Sequence, residues 1–237
     1  MIQPQHFDEG LAAKFAANKS IVLDNFLDKE VAEDLYEFLN VRMPPDWWFA
    51  QYKNQGSNKD GYNKAQMLRR TPENEQLIQF ELEKCHYSNY KNFFSFMFDR
   101  TTNHVKGCTC DICKFEKALF TTTFFDLISS ISSTQITHRN EFFASKFTTG
   151  QFIAPHHDLN KGKLGFVLNL TKSWRPHYGG LLHFLTDDYK HVTKVVLPEF
   201  NKLTLFHIPK DGGIPHYVSP VNPGVQLNRI SFTGWLS

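Results

Sequence analysis

An antiparallel β-sandwich or barrel preceded by helices is the fold class that the sequence predicts. Three observations carry the prediction. From about Glu141 onward, "EFFASKF", "GFVLNLT", "GGLLHFL", "VTKVVLP", "NKLTLFHI", "HYVSPV" and "NRISFTGWL" form short runs rich in β-branched and aromatic residues. Turn-forming segments such as "TTGQ", "NKGK", "RPHYGG", "TDDY", "KDGG" and "NPG" punctuate them, and short strands at this spacing pair into sandwiches and barrels. Ahead of Glu141 the apolar residues fall instead at helical spacing behind capping signals.

The first half reads as follows. "IVLDNFL" (Ile21 to Leu27) is an apolar run suited to a short strand. Asp28 stands where a helix N-cap belongs, Val31, Leu35, Phe38 and Leu39 follow on one helical face, and Pro44 and Pro45 stop the helix. "NQGSNKDGYNK" (Asn54 to Lys64) is polar and carries glycine, hence a loop. Pro72 suits the first turn of a second helix running through "ENEQLIQFELEKC", whereas "NYKNFFSFMF" fits helix and strand equally. Trp47, Trp48, Phe49 and Tyr52 make an aromatic cluster that either packs or lids a site, and Arg69 and Arg70 read as a solvated basic patch. No repeat or low-complexity tract occurs. A single domain over 1–237 is expected, with 1–140 as helical and strand support plus an insertion and 141–237 as the β core.

Composition narrows the function classes. Hydrophobic residues make up 41% of the chain and include 23 phenylalanines, enough for an aromatic core. A net charge of +2 provides no basic field for nucleic acid. No stretch of about 18 apolar residues is available to span a membrane. The opening residues lack a basic segment followed by an apolar run, so a cytoplasmic location is expected. Free thiols or a metal then fit the four cysteines better than a disulfide framework.

"APHHDLN" (Ala154 to Asn160) holds two adjacent histidines and an aspartate. Strand side chains alternate between faces, so His156 and Asp158 share one face and His157 takes the other. His216, in "GIPHYVSPV", opens an apolar strand that a barrel can bring back against the earlier one. Two histidines and a carboxylate on one face of a metal, with positions open opposite, is the ligand set of non-heme Fe(II) oxygenases. Arg229 follows in "NRISFTGW". Pointing into a barrel it needs an anionic partner, and a guanidinium grips a carboxylate with two parallel hydrogen bonds. Ser231, two residues on, shares its face and can donate another.

His-x-Asp, a distal His and then Arg-x-Ser, in that order, resemble the Fe(II)/2-oxoglutarate dioxygenases. "FVLNLTKSWRPHYGGLLHFL" (Phe166 to Leu185), "NKLTLF" (Asn201 to Phe206) and "RISFTGW" (Arg229 to Trp235) look like motifs of the prolyl-hydroxylase branch, in particular the ribosomal-protein prolyl hydroxylases. The resemblance spans about 141–237. It implies a double-stranded β-helix (jelly-roll) core in a mainly β, α+β chain, with Fe(II) on His156, Asp158 and His216. It further implies 2-oxoglutarate as cosubstrate, held by Arg229 and Ser231, together with O2, and ascorbate in vitro. Asn169 stands where relatives carry a tyrosine that hydrogen-bonds 2-oxoglutarate, and Phe147 falls near the place of a second tyrosine. The implied activity is hydroxylation of a protein or peptide side chain, with proline foremost. A free amino acid or small metabolite is the alternative substrate, and a non-catalytic binding scaffold the alternative class. The substrate itself, the hydroxylated residue and the oligomeric state are not legible. Trp47 to Lys64 is the stretch expected to present the substrate.

"GCTCDIC" adds a second ligand-bearing stretch. Cys108, Cys110 and Cys113 can bind zinc, with His104 or Cys85 as fourth ligand, but structural zinc sites usually show two separated Cys-x-x-Cys pairs. An insertion loop with reduced thiols is therefore the preferred expectation.

Overall fold

A computed structural model describes residues 1–6, 8, 10–55, 64–102, 107–208 and 213–237. Among the described residues the α-helices are α1 (Gly10–Asn18), α2 (Lys29–Glu37), α3 (Glu75–Tyr90), α4 (Asp111–Leu119) and α5 (Thr122–Ser132). The strands are β1 (Ser20–Leu23), β2 (Phe49–Lys53), β3 (Gln66–Arg69), β4 (Phe96–Arg100), β5 (Arg139–Phe147), β6 (Phe152–His156), β7 (Leu164–Asn169), β8 (Leu182–Leu185), β9 (Val192–Val196), β10 (Lys202–His207), β11 (His216–Val218) and β12 (Arg229–Leu236). The fold is a curled antiparallel sheet, a double-stranded β-helix, with helices mainly from the N-terminal part.

Strand order is β1-β10-β7-β12-β5-β4-β6-β11-β8-β9. β4 joins the two halves of the curl. It pairs with β5 at Asp99 and Arg100, with β6 at Phe96 and Met97, and with β2 along its whole length.

Alternation sorts the side chains into an outer and an inner layer. Phe142 and Ala144 of β5, Leu168 of β7, Leu203 and Leu205 of β10, and Ile230 and Phe232 of β12 pack outward. Phe15, Leu35, Phe115, Leu119, Phe124 and Ile128 of the helices cover them. Residues one position along face the concavity: Phe143 and Phe147, Val167 and Phe206 belong to an inner aromatic cluster. Arg229, in the same alternation, is directed to that inner side and lies over the Phe147 ring.

Several expected motifs have a structural reason. Asn201 adopts a left-handed φ of 57°, and its amide grips Leu27 at both backbone groups, at 2.9 Å to the N–H and 2.7 Å to the carbonyl. Gly179 has φ 71°, and a Cβ there would lie 2.0 Å from the Pro220 carbonyl oxygen. Its own carbonyl accepts the Trp174 indole N–H at 2.9 Å.

Other expectations need correction. Asp28 occupies the N-cap position of α2 without capping it; the carboxylate instead accepts the Gln3 amide at 2.7 Å. Arg70 is no solvated patch. It binds Asp99 at 2.8 Å and Glu75 at 2.9 Å, and Gln151 adds a 2.8 Å hydrogen bond to the same Asp99. "NYKNFFSFMF" divides, closing α3 and then forming β4. The cysteine stretch is not a simple loop, since Cys110 occupies the N-cap position of α4 and Cys113 lies within its first turn. Trp48 is core whereas Trp47 is exposed. The expected Asn54 to Lys64 loop and the "KDGG" turn fall largely outside the described residues.

Candidate active site

β6 ends at His156, and β11 begins at His216 directly opposite it in the antiparallel register. Asp158 lies two residues beyond the end of β6, in the turn rather than on the strand, yet points back at both rings. The His156 Nε2 is 3.5 Å from one carboxylate oxygen and the His216 Nε2 is 3.5 Å from the other. One ligand atom from each residue falls within 4.8 Å of the others.

Both rings are turned the same way. His156 Nδ1 is 2.9 Å from the Ala154 carbonyl, and His216 Nδ1 is 2.9 Å from the Ile214 carbonyl, each two residues upstream. A carbonyl only accepts, so Nδ1 carries the proton and Nε2 presents its lone pair toward Asp158. Burial, with the neighbouring His156 adding, lowers the His216 pKa to about 4 and keeps its ring neutral. Burial acts to raise the Asp158 pKa, but its close contacts with the two histidines outweigh it, leaving about 2 and an ionised carboxylate. Two imidazoles with Nε2 turned inward and an ionised carboxylate suit a divalent iron ion. His157 takes the other direction, with Nδ1 2.7 Å from the Gly213 carbonyl and its ring edge-on to Tyr189.

These groups open on a cavity of about 500 Å³. Arg229 lies in its wall, 3% exposed, with its guanidinium carbon 4.5 Å from the centre of the Phe147 ring. Among the described residues it has no ion pair, and its Nε finds no hydrogen-bond partner. Burial lowers its pKa to about 10. A buried guanidinium without an anion is costly, and a carboxylate ligand would relieve that cost. This chemistry fits 2-oxoglutarate.

Ser231 lies buried two residues beyond Arg229 on β12. Its hydroxyl is 2.8 Å from that of Ser145, which in turn is 3.2 Å from that of Thr233. Ser145 and Thr233 line the cavity. Asn169 lies opposite Ser231 in the β7–β12 register, buried, with Oδ1 unpartnered. Ser145 was readable in principle, because alternation in "EFFASKF" sets it on the face of Phe143 and Phe147.

The remaining walls are aromatic and polar. Phe94, Phe96 and Phe98 flank the cavity, and the Phe94 ring sits 5.2 Å from that of His156. Arg100 and Glu141, joined at 2.7 Å, line it together with Gln51 and Lys53 of β2. Gln51 and Lys53 fall within the stretch expected to present the substrate; Trp47 and Trp48 do not reach the cavity wall.

The cysteine stretch is separate. Cys108, Cys110 and Cys113 bring their sulfurs within 4.8 Å of one another. Cys85 is no partner to them: it is fully buried between α3 and β4, with its thiol 3.2 Å from the Phe96 carbonyl and 3.4 Å from that of Lys53. His104 lies outside the described residues.

Residues 142–237 match the family model described as the 2OG-Fe(II) oxygenase superfamily. Through this part, the chain is similar to that superfamily. The His156, Asp158 and His216 group, whose ligand atoms converge as a metal ion would need, lies within the matched residues. No curated protein sequence matches the chain. Solved structures show the same fold at low identity. A Pseudomonas putida prolyl-4-hydroxylase is 17% identical with a TM-score of 0.57, covering 96% of this chain and 97% of its own. A Trichoplax adhaerens prolyl hydroxylase, in complex with a hypoxia inducible factor oxygen degradation domain peptide fragment, is 16% identical with a TM-score of 0.59, covering 96% and 88%. A Burkholderia pseudomallei oxidoreductase of the 2OG-Fe(II) oxygenase family is 11% identical with a TM-score of 0.60, covering 98% and 91%. Among the described residues no helix is long and apolar enough to cross a membrane.

Proposed function

We propose that this enzyme hydroxylates a protein or peptide side chain, proline foremost, using Fe(II) and 2-oxoglutarate. The observation that carries the reading is the buried Arg229, with no ion pair among the described residues, sharing one cavity with His156, Asp158 and His216. In this reading the three residues hold the iron, and Arg229 takes the far carboxylate of 2-oxoglutarate. The whole chain acts as one unit, with 1–140 supplying β2, β4 and α3 to the substrate side.

When bound, iron with 2-oxoglutarate and dioxygen supplies oxidative decarboxylation to succinate and CO2 and places the second oxygen atom in a substrate C–H bond. The chain's own residues orient and shield. The Ala154 and Ile214 carbonyls fix the two imidazoles. Phe147 lies against the guanidinium of Arg229 and restricts its plane, while the Ser145 and Thr233 hydroxyls offer hydrogen bonds along the same wall. Asn169 brings an amide where relatives carry a tyrosine. Phe94, Phe96 and Phe98 exclude water from the reacting end.

A macromolecular substrate is supported by a run of exposed apolar residues on α3 that ends at Phe94 in the cavity wall. Leu77, Phe80, Tyr87 and Tyr90 lie on the open side of α3, followed by Phe93 and Phe94. Two of the structural relatives are named prolyl hydroxylases, one of them with a bound peptide, which supports the same choice. The Arg100–Glu141 pair in the cavity wall favours a second reading, a small zwitterionic substrate such as a free amino acid.

The test is mass spectrometry of peptides and free amino acids incubated with enzyme, iron, ascorbate and 2-oxoglutarate. A gain of one oxygen on a peptide, matched by succinate, is expected. Oxygen gained only on free amino acids selects the second reading, and no succinate under any condition overturns both.

A further inference from the structure

We propose that Cys108, Cys110 and Cys113 bind a zinc ion as three thiolates, at a structural site on the helix side of the sheet, away from the His156, Asp158 and His216 group. The sequence alone favours reduced thiols in a loop, because the spacing lacks two separated Cys-x-x-Cys pairs. The structure supplies what spacing cannot: the three sulfurs converge to within 4.8 Å. Cys113 is buried and lies in hydrogen-bonding contact with both Cys108 and Cys110.

Three converging thiols have little to gain from one another. Each S–H is a weak donor and each sulfur a weak acceptor, and successive ionisation would set like charges side by side. A soft divalent cation removes the conflict. Three thiolates replace three thiols, three protons leave, and the sulfurs become ligands. Burial and the two neighbouring thiols push the Cys113 thiol up to about 12, so its ionisation in this cluster calls for a cation. The described residues thus supply three of the four ligands of a tetrahedral zinc ion.

The site has a mechanical role. Gly107, at φ 88°, turns the chain into the cysteine stretch, and the metal would clamp that turn to α4. Ile112, Phe115 and Leu119 of α4 are buried in the outer core, and the Phe115 ring lies 4.9 Å from that of Phe232 on β12. The clamp therefore steadies the cover behind the strand that carries Arg229.

The experiment is metal analysis of the full chain purified with zinc supplied, then dialysed against a mild chelator. Wild type and His216→Ala should each retain one zinc per chain, which separates this site from the iron site. The Cys108→Ser, Cys110→Ser double variant, changed only at half-buried positions, should retain less than a tenth of that. In the unmutated protein, titration with an organomercurial should release the zinc as three thiols react, read with a metallochromic dye. Zinc-free wild type with three reactive thiols, a disulfide among the three, or undiminished zinc in the double variant would each overturn the proposal.

Discussion

The Arg229 guanidinium lies 4.5 Å from the Phe147 ring centre and has no anion beside it among the described residues. The ring offers a weak attraction of about 0.5–2 kcal/mol, far from a full counter-charge. Arg229→Met should therefore act in opposite directions on two measurements. Without 2-oxoglutarate it should melt no lower than wild type, because an uncompensated buried charge is gone. With 2-oxoglutarate, wild type should gain thermal stability and the variant should not, as the loss of a buried charged pair costs about 2–5 kcal/mol of binding. Equal stabilisation of both proteins by 2-oxoglutarate would remove Arg229 from the cosubstrate site.

His156 and His157 are neighbours with different duties. His156 Nε2 turns to Asp158, while His157 is held by the Gly213 carbonyl. Iron affinity measured by anaerobic titration should collapse in His156→Ala and stay near wild type in His157→Ala. The reverse order would refute the ligand assignment.

Arg70 and Arg69 test the buried network. Asp99 is 2% exposed along its side chain and relies on Arg70, with Gln151 and Lys146 in support. Breaking a buried pair by removing one partner costs about 3–5 kcal/mol. Arg70→Ala should sit near the low end of that range, since two partners remain. Arg69, whose 3.5 Å contact to Asp46 is half exposed, should lose no more than about 1 kcal/mol as Arg69→Ala. Denaturant unfolding that gives equal losses for the two would contradict the network.

Legibility followed locality. The strands from β5 onward carry their own signal, because alternation and turn residues lie within each run. The convergence of His156, Asp158 and His216 was legible because they are recognisable by chemistry in order, even though Asp158 stands past the strand on which alternation placed it. α5 shows the opposite case. Its buried residues Phe124, Leu127, Ile128 and Ile131 have helical spacing, but their β-branched and aromatic neighbours mask it, and packing against the sheet decides. Arg70 reads as surface until β3 and β4 are set on either side of β2, since Asp99 is 29 residues away. The convergence of the thiols likewise depends on where α4 begins, which no Cys spacing states.

The last prediction concerns how substrate reaches the iron. Phe94 joins two surfaces: its ring lies 5.2 Å from His156 on one side, and Lys53 Nζ stands 5.1 Å from its centre on the other. Beyond it the exposed aromatic residues of α3 are interleaved with cations, Lys84 4.6 Å from the Phe80 ring centre and Lys91 5.7 Å from that of Tyr87. Such a track suits an extended peptide with apolar and acidic side chains, whereas a free amino acid is too short to touch it. Phe80→Ala combined with Tyr87→Ala strips two exposed rings from this face and leaves the cavity intact. Truncating an aromatic side chain that a partner packs against costs about 1 kcal/mol or more of binding. The double variant should raise the KM for a peptide substrate roughly ten- to thirty-fold, at about 1.4 kcal/mol per tenfold. Its uncoupled 2-oxoglutarate turnover and its melting temperature should stay unchanged. Phe94→Ala should in addition lower coupling, so that more succinate forms per hydroxylated product, because water gains access beside His156. If the α3 variants hydroxylate peptide with unchanged KM, substrate does not travel along this face, and the small-substrate reading gains the ground that the peptide reading loses.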